Sequence, residues 1–321
     1  MGYTKEISLS THLGVYEVYE ETAPPGMVLS PERHTVVLSY AGQFVEITET
    51  EMKFTNERQK CRIELQKKLE QDEVFQIGMN DEMKIVQFGL YAAEDIIAAD
   101  GKAIPKDGLI ELVSVSASGT AVFQTDLPVG SKLHVKEYST DEHYRISEEK
   151  YPVSFDYAGQ DVPTVTIWIN DGKPIENKLI RGNISGKKLD DDGNVLQGAV
   201  FGLFSKNEIS FTKENAILTA VSDENGLFTF SNLPYGEYLM KELSCPTGFV
   251  LSDKMIPITI SEQGQMIELE LTNQKIPPAP DNPKTGSRML GLWIAISIFS
   301  GSMMIASALI LWKIQKENKK K

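Results

Sequence analysis

The chain has 321 residues, which allows two to three domains, and 41% of them are apolar, enough for packed cores. Its 45 acidic against 32 basic residues leave a net charge of −13, which argues against nucleic acid or anionic lipid as partners and suits an extracellular stalk. Cys61 and Cys245 are too few and too far apart for a disulfide framework. Four scattered histidines, no Cys/His cluster, no phosphate loop and no Gly-x-Ser-x-Gly elbow give no metal site, no cofactor and no enzyme active site.

Taken in chain order, MGYTKEISLS has one lysine and no apolar run, so it is not a signal peptide. Leu13–Glu20 alternates as a strand, Ala23-Pro24-Pro25-Gly26 turns, and MKFTN closes on Asn56. Cys61–Asp72 (CRIELQKKLEQD) opens a second stretch. It continues through the strand-like Val86–Tyr91, a short helix expected at Ala92–Ala99, Ala121–Glu137, and VTIWIN ending at Asn170. Asn183–Asp192 then repeats the opening, with Lys187-Lys188-Leu189-Asp190 aligned on Lys67-Lys68-Leu69-Glu70. Ala199–Phe204 repeats Val86–Tyr91, Leu227–Glu242 repeats the Leu-Pro-x-Gly hairpin, and IELELTN closes on Asn273. The expected units are therefore 1–57 (the later part of the pattern only), 58–178 and 179–275. Period-two alternation with many turn signals gives an all-β sandwich class.

After a Pro-rich spacer at 276–281 comes Asn282-Pro283-Lys284-Thr285-Gly286, within 282–288. An uncharged apolar run at 289–312 follows; as a helix it reaches about 36 Å, enough to span a ~30 Å hydrocarbon core. The tail 313–321 has five lysines against one Glu, which keeps it cytoplasmic and places the preceding chain outside.

Pentapeptide, apolar helix and basic stop, in that order, resemble the cell-wall sorting signal of Gram-positive surface proteins. The usual motif there is LPXTG; Asn282 stands in place of the Leu. The resemblance implies that a sortase cleaves between Thr285 and Gly286 and passes the Thr285 carbonyl, through a thioester, to a peptidoglycan or pilin amine. Export without a signal peptide implies in turn that the chain is the C-terminal part of a longer protein.

The spacing K-[KL]-[DE]…F-x-L…L-P-x-G-x-Y-x-x-x-E…[TI]-N resembles the Cna-B-type or SpaA-like domains of Gram-positive surface proteins, which are prealbumin-like and Ig-like β-sandwiches. In many of these a first-strand Lys and a last-strand Asn form an isopeptide bond assisted by a Glu. Carried over, the sets are Lys68, Glu137 and Asn170, and Lys188, Glu242 and Asn273, with Asn177 a weaker rival to Asn170. Lys67 and Lys187, one residue earlier, are expected on the opposite strand face. Burial would lower the lysine pKa and free its amine for attack. A buried, protonated Glu would polarise the Asn carbonyl and shuttle the proton to departing ammonia. The first unit retains Glu20 and Asn56 without a Lys, so Asn56 reads as a leftover. Cys245 reads as a small buried filler. The resulting expectation is an all-β array with one C-terminal transmembrane helix: an adhesin stalk on the cell surface, anchored to the wall. The alternative is a sortase-assembled pilus subunit.

Overall fold

The computed structural model describes residues 12–43, 52–98 and 101–278. The pentapeptide, the apolar run 289–312 and the basic tail lie outside the described residues. No helix among the described residues is long and apolar enough to cross a membrane. The described residues up to Lys275 form one compact unit.

Three strand sets follow one another. In the first, β1 (Gly14–Tyr19) and β2 (Arg33–Leu38) pair antiparallel. Period-two alternation puts Tyr16, Val18, His34 and Val36 on one face, yet that face is only half-buried. Residues 52–56, expected as a closing strand, alternate in burial but join no strand. A ladder needs a partner, and the described residues supply none beside this segment.

The second set is a sandwich. One sheet contains β3 (Lys60–Leu69), and the other contains β4 (Gln87–Ala92). Between the two halves of the set, a two-stranded ribbon of β5 (Ile96–Ile97) and β6 (Ala103–Ile104) replaces the short helix expected at Ala92–Ala99. Ala92 still belongs to β4, and the β-branched Ile96-Ile97 pair suits a strand better than one turn of helix. The set continues with β7 (Leu109–Ser114), β8 (Thr120–Phe123), β9 (Lys132–Ser139), β10 (Tyr151–Ser154), β11 (Thr164–Trp168) and β12 (Ile175–Asn177). The sheet β10-β9-β4-β7 faces a sheet in which β3 pairs antiparallel with β8 and parallel with β11 and then β12.

The third set repeats this plan without the insertions. It comprises β13 (Arg181–Asp190), β14 (Val200–Ser205), β15 (Leu218–Val221), β16 (Leu227–Pro234), β17 (Gly236–Ser244), β18 (Met255–Ile260) and β19 (Met266–Asn273). Its sheets are β15-β14-β17-β18 and β16-β13-β19, with β13 and β19 parallel. Each sandwich has its own core, one around Ile63, Leu65, Phe88 and Phe123, the other around Ile184, Phe201, Phe228 and Met240. In both, the first strand lies centrally in its sheet, beside the last one. A residue on the first strand's inner face therefore sits over the core next to the chain's exit.

Arg181 joins the two sandwiches. Its guanidinium reaches Asp72 at 2.9 Å and Glu70 at 3.0 Å, while Phe75 packs edge-on against Tyr238. The first set rests on the second through Gln160, whose carbonyl accepts from Leu29 N and whose side chain accepts from Ala23 N, each at 2.9 Å.

Candidate self-cross-linking sites

In the third sandwich, β13 turns Ile184, Gly186 and Lys188 inward by simple alternation. Gly186 is required there: a Cβ would lie 2.0 Å from the Phe228 ring. The next inward position puts Lys188 into the core, 1% exposed. Its Nζ donates to Asn273 Oδ1 at 2.5 Å, and Glu242 Oε1 lies 3.3 Å from Nζ. The same Glu242 oxygen accepts from Asn273 Nδ2 at 2.9 Å. All three side chains are buried. Phe201, on the facing sheet, brings its ring centroid to 5.7 Å from Nζ.

One carboxylate oxygen thus lies between the lysine amine and the asparagine amide nitrogen. Glu242 Oε2 is held by the backbone N–H of Ser252 at 3.0 Å, which fixes the carboxylate's orientation. The expectation that the Glu would face the Asn carbonyl is corrected by this geometry. The lysine takes Oδ1, and the carboxylate takes Nδ2.

The second sandwich builds the same arrangement with Glu137 as expected, but with Lys67 in place of Lys68 and the rival Asn177 in place of Asn170. Lys68 points to solvent and meets Glu176 at 3.2 Å. Asn170 is exposed, with its Nδ2 on the Lys173 carbonyl at 3.1 Å. The residues that converge are Lys67, Glu137 and Asn177. Lys67 Nζ donates to Asn177 Oδ1 at 2.5 Å, Asn177 Nδ2 to Glu137 Oε1 at 2.7 Å, and Lys67 Nζ lies 3.2 Å from that oxygen. Ser147 N holds Glu137 Oε2 at 2.8 Å, and Phe88 takes the place of Phe201, 5.7 Å from Nζ.

Two physical reasons displace the expected residues. The inward positions of β3 are Ile63, Leu65, Lys67 and Leu69, so Lys68 has to face out. After β11 the Asn170-Asp171-Gly172 turn puts all three residues at positive φ (55°, 53° and 75°), a conformation that Asn, Asp and Gly tolerate best. The strand resumes at Ile175, and the register then matches the third sandwich. Lys67 pairs with Ile175, two before Asn177, as Lys188 pairs with Leu271, two before Asn273.

A glycine turn also fixes each lysine. Gly119 and Gly226 have φ of +82° and +74°, and their carbonyls accept from Lys67 N and Lys188 N, both at 2.7 Å. A Cβ at either would meet the lysine carbonyl at about 2.4–2.5 Å. Burial lowers the pKa of both lysines, against the opposing pull of Glu137 and Glu242, which favours the neutral amine.

Glu20 and Asn56 also meet. Asn56 Nδ2 donates to Glu20 Oε2 at 2.5 Å, and that oxygen also accepts from Ser30 N at 2.8 Å. Lys187 faces outward. Cys245 is half-buried rather than buried, three residues past Glu242 as Thr140 is past Glu137, and its thiol donates to the Phe249 carbonyl at 3.3 Å. Burial pushes the Cys61 thiol up to about 11, which makes it a poor nucleophile. Asp190, Asp191 and Asp192 lie together, and Lys275 pairs with Asp190 and Asp192.

No curated protein matches the chain. Residues 182–275 match the family described as SpaA, a prealbumin-like fold domain. The solved structure of the Bacillus anthracis TIE protein is similar at a TM-score of 0.57 and 23% identity, over 82% of this chain and 42% of that one. The chain therefore spans less than half the length of that protein. A C-terminal fragment of the pilus adhesin SpaC from Lactobacillus rhamnosus GG aligns at a TM-score of 0.46 and 14% identity, over 69% of this chain and all of the fragment. The fold of the chain is all-β, and its third unit is similar to the SpaA-type prealbumin-like domains.

Proposed function

We propose that the chain is the stalk of a cell-wall-anchored adhesin whose sandwiches cross-link themselves and which a sortase attaches through Thr285. The observation that supports the reading is a buried Lys–Glu–Asn set built twice in the same register. A lysine and a carboxylate buried together are expensive to desolvate, and a purely structural role would be served as well by apolar side chains. Amide formation removes that cost.

The chemistry is a single turnover. The Lys Nζ loses a proton to the bridging carboxylate, attacks Asn Cγ, and forms the Nζ–Cγ bond. The Cγ–Nδ2 bond breaks, and the carboxylate returns the proton to the departing nitrogen, which leaves as ammonia. Fixed neighbours supply the effective concentration that free amine and amide lack. The loops closed span 85 and 110 positions. By analogy with a disulfide, each adds about 4–5 kcal/mol in the chain-entropy model.

Attachment rests on the Asn282–Gly286 pentapeptide and the segments after it. The pilus-subunit alternative uses the same sortase step and differs in the acceptor amine. The deciding measurement is the intact mass of the full chain made without sortase, which should be short by two ammonia molecules. Glu242→Gln should restore one of them. A full wild-type mass would remove the cross-linking claim. In cells with sortase, Thr285→Ala should leave the protein out of the wall fraction; unchanged wall linkage would remove the anchoring claim.

A further inference from the structure

The two buried sets agree in three residues and differ in a fourth. Thr140 and Cys245 hold the same place, three residues past the glutamate and one past the end of β9 or β17. Both are half-buried. In the second sandwich Asn177 Nδ2 donates twice, to Glu137 Oε1 at 2.7 Å and to Thr140 Oγ1 at 2.9 Å. A primary amide has two N–H donors, so both are taken. In the third, Asn273 Nδ2 donates to Glu242 Oε1 at 2.9 Å, and no second acceptor meets it among the described residues. The Cys245 thiol turns instead to the Phe249 carbonyl, 3.3 Å away.

The second acceptor matters because of what the nitrogen must do. As Lys67 Nζ attacks Cγ, the Cγ–Nδ2 bond loses its conjugation and an electron pair collects on Nδ2. That pair must turn towards Glu137, which holds the proton taken from Nζ. The hydrogen that pointed at Glu137 has to swing away. A nitrogen tethered only by that hydrogen is released at this moment. One tethered also to Thr140 pivots about its second hydrogen and keeps its place.

We propose that Thr140 is a positioning residue for the leaving nitrogen of Asn177, and that Cys245 leaves the third site without this tether. The inference rests on the amide chemistry proposed above. The Nζ–Cγ bond forms, the Cγ–Nδ2 bond breaks, and ammonia departs with its own two hydrogens and the one carried by Glu137. Thr140 Oγ1 gains and loses no proton.

The test follows both bonds in one molecule. The full chain is made by cell-free synthesis without sortase and quenched in acid at intervals. Digestion then separates the Lys67–Asn177 and Lys188–Asn273 peptide pairs, and their masses give two rates of ammonia loss. Thr140→Val keeps the branched shape but removes the acceptor. It should slow the second bond at least tenfold and leave the third unchanged, and Thr140→Ser should restore the rate. Cys245→Thr should speed the third bond at least threefold, a gain that packing alone would not give. Because it acts in the other sandwich, this arm decides the matter if Thr140→Val fails to fold. An unchanged second rate in Thr140→Val, no rescue by Thr140→Ser, or a third rate indifferent to Cys245→Thr would overturn the proposal. Any of these in a chain that still loses two ammonias would leave the proposed function intact. A wild-type chain that keeps its full mass would remove both.

Discussion

At the scale of single residues, strand parity decides which lysine enters the core. Lys67 and Lys68 are chemically identical neighbours, yet one lies in the core against Glu137 and the other in water against Glu176. Lys67→Ala and Asn177→Ala should each restore one ammonia to the intact mass, whereas Lys68→Ala and Asn170→Ala should leave it unchanged. Restoration by Lys68→Ala would show that the second sandwich uses the other face of β3. A pH experiment tests the third sandwich. In an Asn273→Ala chain Lys188 stays free and buried, and its folded-state pKa lies below the ordinary 10.5. Between those two values the unfolded chain binds more protons, so stability rises with pH towards 10.5 and is lost as pH falls through the folded value. In the proposed wild-type cross-link the same nitrogen belongs to an amide and would not titrate. Denaturant unfolding across this range should therefore give a steeper pH slope for the variant; equal slopes would mean that Lys188 is free in both.

At the scale of elements, the inward alternation of Ile184, Gly186 and Lys188 is legible because burial on β13 alternates without a break from Arg181 to Lys188. The same rule applied to CRIELQKKL puts Ile63, Leu65 and Lys67 on one face. Aligning the two Lys-Lys-Leu runs overrides it, because β3 is one residue out of phase with β13 at that motif. The last strand of the second sandwich was harder. VTIWIN ends on an Asn as IELELTN does, but the Asn-Asp-Gly turn interrupts the strand, and Asn177 lies past it in a polar stretch that alternation alone does not mark. The glycine turns were present in the sequence as Ser-Gly-Thr and Asn-Gly-Leu before β8 and β16. Their hold on the lysine backbone is a contact across strands, which no local pattern encodes. The ribbon at Ile96–Ile97 and Ala103–Ile104 was missed for a similar reason. Its two short strands are stabilised by each other and not by any amphipathic period.

At the scale of the molecule, the proposed cross-links would define a path for force. Each bond would join the end of a first strand to the end of the last strand parallel to it. A pull along the chain would run up β3 to Lys67, across to Asn177, through the short segment to Arg181, up β13 to Lys188, and across to Asn273. Everything between each bonded pair would be bypassed and would stay folded under load, as the proposed stalk requires. Single-molecule stretching of the full chain should therefore show no release of length from either sandwich. Glu242→Gln should add one unfolding event, freeing the 85 positions between Lys188 and Asn273, about 300 Å of extended chain. Lys67→Ala should instead free the 110 positions of the second sandwich, about 380 Å. Release of either length from the wild type would place that sandwich in the load path with its first and last strands held together by hydrogen bonds alone.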